Sequence, residues 1–394
     1  MKLILLIFLF VIPTYGQTVS GQGSVTIQAS VTVSPSPHSA NADFAARCAA
    51  PGVIRCWGFD TAAEVAGHLD PDATGTNPPT IDNTTYASGG GSLHFVVPSL
   101  STANSSGDFW TDFLDNNSIQ FDSLINGDPK SLTTACGGSP CSNEFWIQWR
   151  QRFDAAMLGQ FSGSQGFKQA IIGEGDGGET AYSCTDMEIV AQNSNQEGFP
   201  QLYHSCGVKL GTYDPLETPV PPYNWSVQNV AGGYVACQQS DSQAPTSACY
   251  PYVALQWMTF QLHVKVGTWY PGGGSAANPP ATFLHDSTVQ LYVAQEAEPS
   301  VLVIDYHPGA TSAACDATQV DIPSCQTGYD LANPSAFPVP QGSPSSDGNV
   351  HAKYGKIWLL PYQTNKSGTV SQPVANTWYD ELIVSTQRIP DPKF

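Results

Sequence analysis

Along residues 145–153, FWIQWRQRF, apolar and polar positions alternate, so that Phe145, Ile147, Trp149 and Phe153 fall on one side and Gln148, Arg150 and Arg152 on the other. A period of two describes a β-strand with one face in a core. Residues 260–266, FQLHVKV, repeat the pattern, setting Phe260, Leu262, Val264 and Val266 against Gln261, His263 and Lys265. Further strand candidates occur at 56–60, 92–97, 167–173, 187–192, 288–294, 301–306, 354–362 and 377–385. Clusters such as GEGDGG and YPGGGSAANPP separate them, as turns and loops require. Many short strands, long connections and no long helix predict an all-β chain built as a two-sheet antiparallel β-sandwich.

The polar side of these strands carries the candidate chemistry. The chain has 394 residues and a net charge of -19, with 14 Lys and Arg against 33 Asp and Glu, yet Arg150, Arg152, Lys168, Lys265 and Lys356 all fall inside predicted strands. Amide, imidazole, guanidinium and ammonium groups on one sheet face equip it to hold a polar, anionic, chain-like ligand. Trp358 shares a strand face with Lys356, and Tyr292 shares one with Gln290; each is either a platform for a sugar ring or part of a core. Arg150 either meets such a ligand or pairs with an acid such as Glu188. Lys265 and Lys356 either face the ligand or lay their stems over the groove and pair with loop carboxylates. The acidic balance argues against nucleic acid or an anionic membrane as partner.

Residues 1–16, MKLILLIFLFVIPTYG, read as a secretory signal, and 17–47 as a Ser/Thr/Pro-rich leader before one domain over 48–394. No later segment resembles a membrane span, so the expected location is extracellular or periplasmic. In an exported chain, ten cysteines imply disulfides. Neighbour pairing gives Cys48–Cys56, Cys136–Cys141, Cys184–Cys206, Cys237–Cys249 and Cys315–Cys325, bracing the long loops.

Three stretches carry a family resemblance. EFWIQWRQRFD with FKQAIIGEGD, then WMTFQLHVKVGTWY, and finally KIWLLPYQTNK through NTWYDELIVSTQRIPDP resemble strands of the concanavalin A-like lectin/glucanase jelly roll, in its polysaccharide lyase-like branch of alginate and heparin lyase-like proteins. YGKIWLLPYQ loosely resembles the YFKAGVYNQ pattern of that branch, whereas its RxELR and QIH signatures do not occur here. The resemblance implies a polysaccharide partner and β-elimination on an acidic glycan. Arg150 and Gln148 would then neutralise the uronate carboxylate, with His263 as base and Tyr362 as proton donor. Arg152, Lys168, Gln261, Lys265, Tyr292, Lys356 and Trp358 would line the substrate. It further implies a structural calcium held by Asp60 and Asp380, against the plain alternative of two hydrogen-bonded carboxylates, and no other cofactor.

Two other readings stay open. One is a carbohydrate-binding or adhesion module without turnover. The other is a laminarinase-like glycosidase using Glu174 and Glu179, whose EGDGGE spacing suits paired carboxylates but also describes a glycine-rich loop.

Overall fold

The computed structural model describes residues 37–70, 77–102, 105–112, 144–159, 166–174, 189–194, 199–204, 227–230, 233–236, 250–265, 268–269, 284–306, 329–331, 354–363 and 366–394. In chain order these form helix α1 (Pro37–Cys48) and strands β1 (Val53–Trp57), β2 (Leu69–Asp70), β3 (Thr80–Asp82), β4 (Ser92–Val97), β5 (Asp108–Asp112) and β6 (Glu144–Phe153). Helix α2 (Ala155–Leu158) follows, then β7 (Lys168–Glu174), β8 (Ile189–Ser194), β9 (Phe199–His204), β10 (Val227–Val230) and β11 (Gly233–Ala236). The last elements are β12 (Trp257–Lys265), β13 (Thr268–Trp269), β14 (Leu284–Ala294), β15 (Val301–Tyr306), β16 (Tyr329–Leu331), β17 (Tyr354–Leu359) and β18 (Ala375–Ser385).

Among the described residues the larger sheet runs β13-β14-β12-β6-β18-β4-β3, with β1 also paired to β18 and β15 and β16 to β14. The second sheet runs β2-β5-β17-β7-β8-β9, and β10 pairs with β11 alone. All pairings are antiparallel, which bears out the predicted two-sheet β-sandwich. One core joins the inner faces: Phe95, Trp149, Phe260, Leu291 and Tyr379 from the larger sheet meet Phe109, Ile172, Ile189, Leu202 and Ile357 from the second. The alternation read in 145–153 and 260–266 is what places these residues inward.

A polar thread crosses that core. Gln169 of β7 donates its amide to Gln151 of β6 at 2.8 Å, and Gln151 donates to the Thr377 hydroxyl at 3.0 Å. Tyr252 donates to the Gln169 side chain and Tyr379 donates to the Gln169 backbone carbonyl. Burial pushes both phenols well above their ordinary pKa, so each remains a neutral donor. A satisfied network of this kind fixes how two sheets dock, because any sliding would orphan several buried groups.

The segment 37–47, assigned to the leader from sequence, is instead most of helix α1. Pro37 stands at its first position and four alanines supply helix propensity. Ala40, Asp43 and Arg47 form its buried stripe, and the Cys48–Cys56 disulfide ties its end to β1. The other four predicted disulfides lie outside the described residues.

Candidate functional site

The outer faces of the two sheets divide the predicted site between them. On the larger sheet, register sets Gln148 of β6 opposite Gln261 of β12, and Arg150 opposite Asp380 of β18. The structure therefore brings Gln148, Arg150, Gln261 and His263 onto one face, as the alternation predicts. It also seals them. Gln148 and Gln261 are 0% exposed, Arg150 2% and His263 7%.

The cover consists of α1 and the segment after β18. Arg47 donates to Asp43 at 3.0 Å, to Gln148 at 2.8 Å and to Glu381. Gln261 donates to the Ile389 carbonyl and accepts from the Ile389 amide, while Gln148 donates to the Pro390 carbonyl. Arg150 lies 3.7 Å from Glu381. A bulge in β18 between Asp380 and Ile383 makes this possible, because Glu381 adopts φ +52 and both acids reach the outer side before alternation resumes. The His263 ring stacks on Trp146 at 3.8 Å, and its two nitrogens meet Gln290 and Glu144 at 2.8 Å each. Tyr292 lies beside Trp146 and under the Arg388 guanidinium, not on an open groove.

This arrangement does not gather the expected catalytic set, Arg150, Gln148, His263 and Tyr362, on one open face. A group that neutralises a substrate carboxylate must be reachable, whereas Gln148 and Gln261 are held by Arg47 and the 389–390 backbone and Arg150 lies buried beside Glu381. His263 is committed in the same way. Tyr362 lies on the other sheet altogether, so the four residues form no common trough. Lys265 stands exposed at the end of β12.

The predicted metal pair is brought to one loop but by other means. Asp380 accepts the Ala87 and Ser88 amides, at 2.7 and 3.2 Å, and the Glu381 amide at 2.7 Å. Asp60 accepts the Gly90 amide at 2.5 Å, and Asn41 accepts that of Gly89 at 2.6 Å. Four consecutive N–H groups are thus captured by side-chain oxygens. Gly89 is required there, since its φ is +68 and a Cβ would stand 1.8 Å from the Asp60 carboxylate. Among the described residues no group of three or more His, Cys, Asp or Glu side chains is placed to hold a metal ion.

The second sheet presents a different outer face. Trp110 of β5, Trp358 of β17, Ile171 of β7 and Val190 of β8 follow one another in register across four strands. Ile171, Val190, Trp358 and Leu360 form an apolar floor, with Trp110 and Tyr362 half-buried against it. The Lys168 ammonium lies 5.1 Å above the Tyr362 ring, and its backbone amide donates to the Tyr362 carbonyl at 2.7 Å. Register sets Gln192 opposite Lys168, and Lys356 opposite Asp112 and Gly173. Trp358 is 1% exposed, and among the described residues its indole N–H has no acceptor. The open part of this face is its aromatic flank, where Trp110 and Tyr362 stand half-buried beside Lys168.

Lys168, Tyr362 and Trp358 are thus the sequence-predicted residues that this face unites. Trp110 and Gln192 were missed; Trp110 sits in DFWTD, too short a run to show alternation. Glu174 ends β7, and Glu179 lies outside the described residues.

No family model matches the chain, and no curated protein matches it. Solved structures similar to it include an alginate lyase from Aplysia kurodai, 9% identical over 85% of this chain and 99% of that one, with a TM-score of 0.40. An endo-β-1,4-glucuronan lyase from Trichoderma reesei is 12% identical over 82% of this chain and 97% of that one, at 0.37. The catalytic domain of a glycoside hydrolase family 131 protein from Coprinopsis cinerea is 9% identical over 86% and 96%, at 0.31. At these scores the likenesses add nothing about chemistry to what the two sheets show by themselves. Among the described residues no helix is long and apolar enough to cross a membrane.

Proposed function

We propose that the protein binds a polysaccharide on the outer face of its second sheet and cleaves an acidic glycan there by β-elimination. The observation that supports this is the aromatic face itself, where half-buried Trp110 and Tyr362 flank a floor of Trp358, Ile171 and Val190 beside the Lys168 ammonium. Aromatic faces stack on the apolar side of pyranose rings, while a few polar groups fix their orientation. Lys168 supplies positive charge beside Tyr362, where a uronate carboxylate needs neutralising before its C5 proton becomes acidic.

With His263 sealed on the opposite sheet, Tyr362 carries the proton transfer. Its phenolate takes the C5 proton, the C4–O bond breaks, a C4–C5 double bond forms, and the phenol returns the proton to the departing oxygen. Incubation with alginate, glucuronan and pectate should give unsaturated product, seen as ultraviolet absorbance. Tyr362→Phe should lower its rate by at least about a hundredfold while binding persists. His263→Ala should leave the rate unchanged. Absence of product from every uronate polymer overturns the lyase reading.

A second reading is binding without turnover. It draws on the burial of the predicted base, and saccharide binding with no product from any polymer is its signature.

A further inference from the structure

Among the described residues the larger sheet carries a half-buried arginine that its cover does not use. Arg152 lies on the outer face of β6, half-buried, two residues beyond the sealed Arg150. Among the described residues its guanidinium has no ion pair and no hydrogen bond, and its Nε is buried without an acceptor. Acids outnumber bases 33 to 14 in this chain, so an unmatched arginine is informative.

The nearby carboxylates are already occupied. Asp82 accepts the Thr84 amide and hydroxyl at 2.8 and 2.6 Å and the Trp378 indole at 2.8 Å. Asp154 accepts the Met157 amide at 2.6 Å and the backbone and side-chain N–H groups of Asn376 at 2.9 and 2.8 Å. Asp380 is taken by the three amides described above. Among the described residues the local acceptors are therefore spent elsewhere, and the planar fork of Arg152 meets none of them.

What surrounds that fork is aromatic and apolar. Register places Trp257 on one side of Arg152 and Trp378 on the other, with His94 and Thr80 continuing the row across β4 and β3. Trp378 is only half-buried, and it is held rigidly: its N–H is fixed by Asp82 and one ring face is stacked on His94 at 4.8 Å and 7°. At the end of β6, Leu255 donates its amide to the Phe153 carbonyl at 2.7 Å. Leu255 adopts φ +63 and is nevertheless 56% exposed. A bulky residue in the left-handed region costs about 1–2 kcal/mol, a strain that burial does not offset here.

We infer that Arg152, Trp378 and Leu255 form a second saccharide-binding site, for a carboxylate-bearing sugar, on the sheet opposite the proposed cleavage face. The guanidinium takes the carboxylate through paired N–H donors, and the sugar's apolar face lies against the indole and the leucine. The ligand class follows from the unmatched fork and the aromatic row themselves, so the site does not depend on Tyr362 or Trp358.

Calorimetric titration of the full chain with a uronate hexasaccharide from alginate tests this, with cellohexaose and inorganic sulfate as comparison ligands. In a Lys168→Met, Trp358→Phe background, which silences the second sheet, uronate binding should persist. Adding Arg152→Gln should weaken that residual binding about tenfold, and Arg152→Lys nearly as much because the fork is lost. Leu255→Ser, at an exposed position, should weaken it about fivefold without lowering the unfolding midpoint. Residual binding that ignores both Arg152 variants overturns the proposal, as does its absence in the silenced background. Sulfate binding as tightly as the hexasaccharide reduces the site to a bare anion site and also overturns it. If only the second-sheet reading fails, the wild type shows one class of site, sensitive to Arg152 and indifferent to Trp358.

Discussion

The outer faces of the two sheets invert each other. On the larger sheet the strands set amides, arginines and a histidine outward, and a helix with a polar stripe then closes over them. On the second sheet the strands set tryptophan, isoleucine and valine outward, and the polar groups Lys168 and Gln192 stand at one end. Polarity on a strand face therefore does not establish that the face meets solvent or ligand. A polar face can be an interface when the covering element brings complementary charge. Asp43 and Arg47 of α1 do this for Gln148, Glu381 and Arg150.

The largest effect should come from opening the sealed face. Arg47→Met removes the donor that Asp43, Gln148 and Glu381 share, and leaves two buried acids with only Arg150 near one of them. Removing one member of a buried ion network typically costs about 3–5 kcal/mol, because the stranded partner keeps its desolvation penalty. Denaturant unfolding should show a loss of that size with an unchanged slope. A loss under about 1 kcal/mol would mean that the face is not sealed and that the contrast between the sheets is false.

A smaller effect of opposite sign belongs to the second sheet. Trp358→Phe keeps a large ring and removes the N–H that has no acceptor among the described residues. Deleting an unsatisfied buried donor relieves a penalty of about 1–3 kcal/mol, set against a modest packing loss. The free protein should be as stable as the wild type or more so, while affinity for the polysaccharide falls about tenfold. If stability falls and affinity does not, the indole is structural and the second sheet loses its claim.

Much of the sandwich was legible because long strands repeat a period of two. FWIQWRQRF and WMTFQLHVK placed their core residues correctly, and Lys168, Trp358 and Tyr362 do share a face. Helix α1 was illegible for a definite reason: its buried stripe is alanine, aspartate and arginine, so no hydrophobic period marks it. The sealing of Arg150 was equally hidden, since it depends on a bulge at Glu381 and on partners 101 and 334 residues from Arg47. Short strands such as β2, β3 and β13 hold two or three residues, too few to show a period at all. Gln151 and Gln169 sit among core positions, where only the partner sheet reveals why an amide is kept.

The smallest effect lies beyond the edge of the seal, where the larger sheet passes from covered to open. Burial works to raise the Asp82 carboxyl, but the Thr84 hydroxyl and amide, the Trp378 indole and nearby His94 outweigh it, so its pKa falls below the ordinary value. A carboxyl depressed on folding adds stability above its unfolded pKa, and that stability is lost as pH drops through the folded value. Melting temperature should therefore decline along this acid limb in the wild type, and Asp82→Asn should flatten part of it. Because Asp82 is only partly buried, the change should be well below that of Arg47→Met. An acid limb identical in both proteins would show that Trp378 is not held by a charge, and would remove the rigidity on which its role beside Arg152 depends.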